Sequence, residues 1–261
     1  MNQPLAYVDP GAKIAKNVVI EPFSVISKNV VIEEGTWIGS NVTILEGTRI
    51  GKNVKVFPGA VVGGTPQDVK FEDMDTTCEI GDNTVIREHV TIHRGSQATG
   101  RTIVGKNVFL MVGCHVAHDC IIGDNAIIVN NVAMGGHCVI GKHAIVSGLA
   151  ALHQFSTVGD HALVGGGVLV RKDVPPYCKA SKEPIQFVGI NSIGLRRRGF
   201  SAEKIHEIQT IYRILYQKGL NVTRALELIE TEVEATPERD EIISFIRNSK
   251  RGIMRGYKAD S

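Results

Sequence analysis

A six-residue repeat runs from Val8 to Val170, and it constrains the fold more than any other feature of the sequence. Before the first interruption its aliphatic positions are Val8, Ile14, Ile20, Ile26, Ile32, Ile38, Ile44, Ile50, Val56 and Val62. Neither an α-helix, with a period of 3.6, nor an ordinary strand, with a period of two, requires this spacing. A hexapeptide period is typical of a parallel β-helix, in which short strands stack coil upon coil. The sequence therefore predicts a mainly β protein with a core of stacked aliphatic side chains.

Three sides, each one hexapeptide long, would make a coil with a triangular cross-section. The third residue after many repeat aliphatics is Gly, Asn or His, the residue types that tolerate a positive φ. These positions are Asn17, Gly35, Asn53, His89, Asn107, Asn125, His143 and His161. We therefore predict one corner per coil that turns through the left-handed conformation, and we assign no chemistry to the histidines in this set.

Two polar, turn-rich segments interrupt the repeat, at 63–79 and at 93–102. The aliphatic period resumes in phase after each one. Long loops inside a repetitive scaffold usually carry function, although surface decoration is the alternative.

The repeat ends at Asp173-Val174-Pro175-Pro176, where two prolines cannot donate to a strand ladder. We expect a β-helical domain over 1–178, a linker over 179–200 and a helical domain over 201–261. Ser201 is a predicted N-cap, and Gly219 is a predicted helix stop. An apolar stripe lies between them at Ile205, Ile208, Ile211, Tyr212 and Leu215. Further helices are expected over 222–234 and 237–250.

Composition narrows the class of protein. The net charge of +2 gives no reason to expect nucleic acid as a partner. We expect neither a signal peptide nor a membrane span, because the N-terminus lacks an apolar segment and no apolar run is long enough to cross a bilayer. Five cysteines without CxxC spacing do not suggest a disulfide framework, and this favours the cytoplasm. Cys114, Cys120 and Cys138 occupy a slot for small residues, so we expect them to be core fillers.

Folding the sequence in steps of one coil, or three hexapeptides, aligns three of the remaining histidines. One coil after His118 is next to His137, and two coils after it is next to His153. Adjacent coils lie about 4.8 Å apart, so three imidazoles are expected to meet. Asp119 could orient one of them, and a glycine N–H at Gly136 could hold an oxyanion. The pattern predicts acyl transfer by a general base opposite an oxyanion donor, with a histidine ladder at a subunit contact as the alternative.

Several motifs resemble one family of enzymes. They are HVAHDCIIGDNAIIVNN, GGHCVIG, LHQF, DVPPY, GINSIGLRRRGF, TPQDVK and TIHRG. Together they resemble the UDP-N-acetylglucosamine O-acyltransferases of lipid A biosynthesis. The resemblance implies a left-handed β-helix that forms a homotrimer with active sites between subunits. It also implies transfer of an R-3-hydroxyacyl group from acyl carrier protein to the glucosamine 3-hydroxyl of UDP-N-acetylglucosamine.

The same resemblance implies roles for individual residues. His118 would be the general base, Asp119 its support and Gly136 the oxyanion donor. Substrate binding is implied for Gln67, Asp68, Lys70, His93, His115, His137, His153, Gln154, Asn191, Arg197 and Arg198. Gly166 matches the position that limits acyl length. Ile193 stands where the family often has an acidic residue. We predict no metal and no cofactor, with the phosphopantetheine thioester of the carrier protein as co-substrate.

Three other functions share parts of this pattern. A zinc enzyme of the γ-carbonic-anhydrase type would need a ligand five residues before His118, where Gly113 stands. A related N-acyltransferase carries an additional N-terminal domain, whereas hexapeptides here begin by residue 8. A non-catalytic ice-binding β-helix would show regular Thr-x-Thr faces, which this sequence lacks.

Overall fold

The computed structural model describes residues 5–72 and 74–256, and most of this length winds into a β-helix with three flat faces. The predicted fold class, a left-handed parallel β-helix followed by helices, is confirmed. Each face is a sheet made of one short strand from every coil, and neighbouring strands in the coils are parallel.

The strands are named here by the sheet to which they belong. The first sheet holds Tyr7–Val8, Val25–Ile26, Thr43–Ile44, Val61–Gly64, Thr91–His93, His115–Val116, Ala133–Met134, Ala151–Leu152 and Leu169–Val170. The second holds Lys13–Ile14, Val31–Ile32, Thr48–Ile50, Thr77–Ile80, Arg101–Val104, Ile121–Ile122, Val139–Ile140 and Thr157–Val158. The third holds Val19–Ile20, Trp37–Ile38, Lys55–Val56, Val85–Ile86, Phe109–Leu110, Ile127–Ile128, Ile145–Val146, Leu163–Val164, Cys178–Ser181, Gln186–Ile190 and Arg255–Gly256.

The repeat aliphatics form the core, because successive side chains in a strand point to opposite faces. In the two-residue strand Ile121–Ile122, the first side chain faces outward and the second is buried. The buried residue of each coil lies over that of the next, as in the pairing of Val116 with Met134. Cys114, Cys120 and Cys138 are buried in this core as free thiols.

All three corners of the coil use the left-handed backbone conformation, not one as predicted. The corner after the first sheet has positive φ at Asp119 and His137, and the corner after the second has it at Asn125 and His143. His89 belongs to the corner after the third sheet, where it lies above Gly59. The prediction that His89 shares a corner with Asn125 and His143 is therefore wrong. Because the first insertion lengthens its coil, a count in steps of three hexapeptides reaches a different side of the triangle beyond it.

Both insertions leave the stack at the same corner, the one after the first sheet. The first joins Val61–Gly64 to Thr77–Ile80, so that Val62 pairs with Ile92 in the coil above. The second joins Thr91–His93 to Arg101–Val104, and Ile92 pairs in turn with Val116. Each of these coils exceeds the regular length by whole hexapeptides, so the stack resumes in register above each insertion.

The segment predicted as a linker is structured. Cys178–Ser181 adds to the third sheet beside Leu163–Val164, and Gln186–Ile190 pairs with it in antiparallel fashion. Helix α1 follows at Ser192–Arg197. The remaining helices are α2 (Ala202–Gln217), α3 (Val222–Glu232) and α4 (Pro237–Asn248).

Helix α2 begins and packs as the sequence predicts. Ser201 is the N-cap of α2 and accepts from the Lys204 amide, and the predicted apolar stripe of α2 is buried. The Tyr212 ring stacks on Phe187 at 5.1 Å, which joins α2 to the last strands of the third sheet. Among the residues that the structure describes, no helix has the length and apolar character needed to cross a membrane.

Neighbouring isoleucines in one strand test the assignment of core and surface. Ile122 is 1% exposed and Ile121 is 45% exposed. Ile122→Ala should lower the free energy of unfolding by about 2–5 kcal/mol, because it removes a packed side chain and leaves a cavity. Ile121→Ala should cost less than about 1 kcal/mol. Urea unfolding of both variants measures this, and equal losses would contradict the assignment.

Candidate active site at one corner of the β-helix

Asp119 occupies the centre of the corner from which both insertions emerge. Its φ is +60°, and its side chain is buried. In this turn the Asp119 carboxylate contacts the side chain of the preceding residue, with Oδ2 2.7 Å from His118 Nδ1. A carboxylate can only accept hydrogen bonds, so Nδ1 carries the proton in this contact, and in the neutral ring Nε2 then has a lone pair. The sequence predicted that Asp119 could orient a histidine, but it could not show that the carboxylate contacts His118.

The second insertion supplies further donors to Asp119, and no pattern in the sequence marks them individually. Ser96 donates its amide to Oδ1 at 3.0 Å and its hydroxyl to Oδ2 at 2.6 Å. Thr99 donates its hydroxyl to Oδ1. The Asp119 amide in turn donates to Thr102 Oγ1 at 2.8 Å. A serine and a threonine in a polar loop are too common to single out before the fold places them over a carboxylate.

These contacts keep Asp119 ionised. Burial alone would raise the pKa of this carboxyl, but hydrogen bonds from Ser96, Thr99 and His118 outweigh it and lower the pKa to about 2. Asp119 is therefore a permanent negative charge at neutral pH, fixed in orientation by donors on both oxygens.

The next coil places a second imidazole beside the first. The rings of His118 and His137 meet edge to face at 5.2 Å, and His137 Nε2 lies 3.7 Å from Asp119 Oδ2. In the coil after that, the corner residue is Phe155, whose ring stacks on His137 at 4.4 Å. His153 is exposed, with Nδ1 3.0 Å from the carbonyl oxygen of its neighbour Gln154. The predicted meeting of three imidazoles thus holds for two, because His153 directly follows the core residue Leu152, whereas Phe155 takes the corner position beside His137.

Two more histidines stand on the other side of His118. The rings of His93 and His115 meet at 4.7 Å, and His115 Nδ1 lies 2.7 Å from Thr91 Oγ1. Burial, helped by the neighbouring imidazoles, lowers the pKa of His93 to about 4 and also lowers the pKa of His115. Both rings are therefore neutral hydrogen-bonding groups at neutral pH.

Gly136 faces the free edge of His118. A Cβ at this position would lie 2.6 Å from His118 Cε1 and 2.7 Å from Nε2. The Gly136 N–H donates to no residue within the described parts of the chain. The His118 ring therefore packs directly against Gly136, and only glycine fits at this position.

His118, Asp119 and His137 present possible ligand atoms within 4.8 Å of one another. Both oxygens of Asp119 already accept hydrogen bonds, from Ser96, Thr99 and His118. A metal ion bound by Asp119 would have to displace at least one of these donors. The arrangement suits a hydrogen-bonded base better than a metal ligand, and the absence of a resident metal stays a prediction.

The predicted residues of the first insertion lie beside this corner. Gln67 and Lys70 are exposed, while Asp68 Oδ1 accepts the Lys70 amide at 3.0 Å. The Lys70 carbonyl accepts from Gln97 Nε2 at 3.1 Å, so the two insertions are tied to each other. The side chains of Gln67 and Lys70 are free to contact a ligand above the corner.

Three other predicted residues lie along a different edge of the β-helix. Asn191 caps α1, and its Nδ2 donates to the carbonyl of His161 at 2.9 Å. Arg198 donates to the carbonyl of His143 at 2.8 Å. Arg197 is exposed on the same helix. Since His143 and His161 belong to the corner after the second sheet, the fold of one chain does not gather these residues around His118.

Gly166 lies at the remaining corner, next to Gly167, and is exposed. A Cβ at this position would lie 3.3 Å from the Gly148 carbonyl oxygen. Because Gly166 is exposed in the single chain, its implied role in limiting acyl length also depends on the other groups that border this corner.

Comparison with known proteins gives consistent results over the whole chain. Residues 173–254 match the family described as Udp N-acetylglucosamine O-acyltransferase, domain 2. Residues 29–64 and 101–136 match the bacterial transferase hexapeptide family. Proteins named acyl-[acyl-carrier-protein]–UDP-N-acetylglucosamine O-acyltransferase are similar to this chain. The one from Syntrophobacter fumaroxidans is 41% identical over 97% of this chain and 98% of its own length. The one from Aquifex aeolicus is 53% identical over 76% of both chains.

Solved structures agree. LpxA from Bacteroides fragilis, a UDP-N-acetylglucosamine acyltransferase, superposes with a TM-score of 0.96 at 53% identity, over 98% of this chain and all of that one. The UDP-N-acetylglucosamine acyltransferase of Arabidopsis gives a TM-score of 0.84 at 30% identity, over 98% and 100% of the two chains.

The crowding at Gly136 makes a structural prediction. Gly136→Ala should push the His118 ring away from Asp119 and lower the free energy of unfolding by about 1–3 kcal/mol. Gly148→Ala is the matched control, because the nearest atom to its new Cβ is 3.3 Å away. Crystal structures of both variants measure the ring position. An unmoved His118 ring in Gly136→Ala would contradict the proposed contact.

The low pKa of Asp119 predicts how stability changes in acid. The ionised Asp119 carboxylate stabilises the folded state. This stabilisation is complete above the ordinary pKa of 3.8 and is lost as pH falls through the folded pKa of about 2. The advantage in unfolding free energy of the wild type over Asp119→Asn should therefore shrink by about 2 kcal/mol as pH falls from about 5 to about 2. Urea unfolding across this range tests it, and a constant difference would show that Asp119 has an ordinary pKa.

Proposed function

Because the chain belongs to the family of acyl-[acyl-carrier-protein]–UDP-N-acetylglucosamine O-acyltransferases, we propose that His118 is the general base of this acyl transfer. The reaction of the family is the first step of lipid A biosynthesis. It would move an R-3-hydroxyacyl group from acyl carrier protein to the glucosamine 3-hydroxyl of UDP-N-acetylglucosamine. The observation that carries the role of His118 is the 2.7 Å contact of its Nδ1 with Asp119, which leaves Nε2, the nitrogen beside Gly136, available as the base.

The first step follows from the tautomer. Nε2 of His118 takes the proton of the sugar 3-hydroxyl while the oxygen attacks the thioester carbonyl carbon. The imidazolium that forms is stabilised by the fixed charge of Asp119. A positioned base of this kind contributes about 10²–10⁴ in rate.

The second step uses the backbone. The attack turns the thioester carbonyl oxygen into an oxyanion, and the N–H of Gly136, which has no acceptor among the described residues, would donate to it. Collapse of the tetrahedral intermediate breaks the carbon–sulfur bond, and the leaving thiolate takes the proton from His118. Loss of one such donor typically costs about 10²–10³ in rate.

Substrate binding would use residues around the corner and beyond it. His115, His137 and His153 with Gln154 would contact the sugar and the acyl chain, and His93 would support them. Gln67, Asp68 and Lys70 would close over the substrate from the first insertion. Arg197 would grip phosphate, since its guanidinium is exposed, whereas Asn191 and Arg198 also hold α1 against the β-helix.

A homotrimer with active sites between subunits would reconcile these positions. The catalytic corner and the corner that holds Asn191 and Arg198 are separate edges of one chain. Packing of three chains side by side could bring the second edge of one chain to the first edge of its neighbour. In that arrangement Gly166 would border the end of the acyl groove from a neighbouring edge.

The remaining partners follow from the same reaction. The co-substrate would be the phosphopantetheine thioester of acyl carrier protein, with no resident cofactor, and the protein would work in the cytoplasm. Ile193, which is exposed, offers no hydrogen bond to the nucleotide at the place where the family often has a carboxylate. Arg197 would then carry more of the nucleotide binding.

The test is acylation of UDP-N-acetylglucosamine by R-3-hydroxyacyl carrier proteins of several chain lengths. The wild type should form O-acylated product, and His118→Ala should reduce kcat/KM by at least about 10³-fold. His89→Asn is a suitable control, because asparagine tolerates the left-handed φ at this distant corner. The control should retain wild-type activity.

Two results would overturn the proposal. Near-normal activity of His118→Ala would remove His118 as the base. Stoichiometric zinc in the purified protein, with activity lost to a chelator, would favour the metal-dependent alternative.

A further inference from the structure

The second insertion is built around the carboxylate of Asp119. Ser96 is 2% exposed and contacts Asp119 through two groups, its amide and its hydroxyl. The amide donates to Oδ1 and the hydroxyl donates to Oδ2, so Ser96 binds both oxygens of the carboxylate. A serine that serves only to form a turn would have no need to place both donors on one buried acid.

Thr99 completes the set of donors. Its hydroxyl contacts Asp119 Oδ1 and also lies 3.0 Å from the carbonyl oxygen of Arg101. A hydroxyl has one hydrogen, and the ionised carboxylate is the stronger acceptor. Thr99 therefore donates to Asp119, which leaves each oxygen of the carboxylate with two donors: the Ser96 amide and Thr99 on Oδ1, and the Ser96 hydroxyl and His118 on Oδ2.

We propose that Ser96 and Thr99 are positioning residues for the acyl transfer, which hold the Asp119 carboxylate in the plane that presents Oδ2 to His118 Nδ1. Neither residue touches the reacting atoms. This inference rests on the proposed function of His118 as the base. It gives the second insertion a specific role in the reaction.

The donors also set how strongly Asp119 acts on its neighbours. Among the described residues, the ionisable groups near this carboxylate are His118, 2.7 Å from Oδ2, and His137, 3.7 Å from the same oxygen. The buried thiol of Cys120 also feels the charge of Asp119. His93 and His115 lie on the other side of His118, and burial followed by neighbouring imidazoles, His118 among them, lowers the pKa of both. Four hydrogen bonds disperse the negative charge of Asp119, so it stabilises an imidazolium at His118 less than a bare carboxylate would.

Removal of the hydroxyls should therefore have two effects. Loss of orientation should lower kcat by about ten- to a hundredfold per hydrogen bond to the charged group. Concentration of charge on Oδ2 should favour the protonated form of His118. Because the base works only when neutral, the acidic limb of the profile of kcat/KM against pH should move to higher pH.

The experiment compares Ser96→Ala, Thr99→Val and Thr99→Ser with Ala98→Ser. Thr99→Ser keeps the hydroxyl and should act like the wild type, whereas Ser96→Ala and Thr99→Val should lose kcat and shift the acidic limb. KM for UDP-N-acetylglucosamine should stay within about twofold, since the bound substrate is not touched. Ala98→Ser is the loop control, because residue 98 is exposed and lies between the two positioning residues.

Two outcomes would overturn the proposal. One is an unshifted acidic limb in the slow variants. The other is a Thr99→Ser variant as impaired as Thr99→Val, since a disrupted loop would produce that pattern without any role for the hydroxyl.

A crystal structure of the Ser96→Ala, Thr99→Val double variant separates this inference from the assignment of the reaction. The Asp119 carboxylate should have rotated away from His118 Nδ1, and an unchanged carboxylate would refute the positioning role. If the wild type forms no product with any acyl carrier protein, the assigned reaction fails. The structure of the double variant then decides the role of Ser96 and Thr99 by itself.

Discussion

Parallel hydrogen bonding between successive coils is the constraint on which the rest of the molecule depends. Val116 pairs with Met134, and Met134 with Leu152, so equivalent positions stack directly above one another. The spacing between coils is about 4.8 Å, so side chains at equivalent positions of neighbouring coils lie in contact. A histidine in one coil and a glycine in the next can therefore face each other without any contribution from loop geometry. This stacking explains why the space between His118 and Gly136 is so narrow and why a side chain at 136 would fill it.

A stack of flat faces offers no cleft, and the two insertions provide the enclosure that it lacks. Both leave the β-helix at the corner of Asp119, and they are joined by the bond from Gln97 to the Lys70 carbonyl. A buried carboxylate is costly unless its oxygens are satisfied, and the donors of the second insertion remove that cost. The insertion thus makes an ionised Asp119 possible inside the corner. Without it, the same sequence at 118 and 119 would be one more polar turn of the repeat.

Much of the fold is visible in the sequence, because a period of six has one ready structural interpretation. The inward aliphatics, the thiols in the core and the Ser201 cap of α2 follow from local pattern. The corner of His89 does not, since counting in steps of three hexapeptides fails across an insertion whose length changes which side of the triangle follows. For the site, counting by coils brought His118, Asp119, Gly136 and His137 together. It could not exclude His153, because counting in whole coils does not show that Phe155 takes the corner position beside His137.

The contacts that hold the site are the part that sequence could not supply. Ser96 and Thr99 lie in a loop without periodicity, so nothing in their spacing relates them to Asp119. Asn191 and Arg198 stand at another edge of the chain, where carbonyl groups at the ends of β-helix turns hold them. The position of the proton on His118 tests most directly whether Asp119 prepares this residue as a base. Nitrogen-15 NMR of the wild-type protein at alkaline pH should show a protonated Nδ1 and a bare Nε2, with this preference lost in Asp119→Asn. A wild type with its proton on Nε2 would contradict it, because that nitrogen could then accept nothing from the sugar hydroxyl.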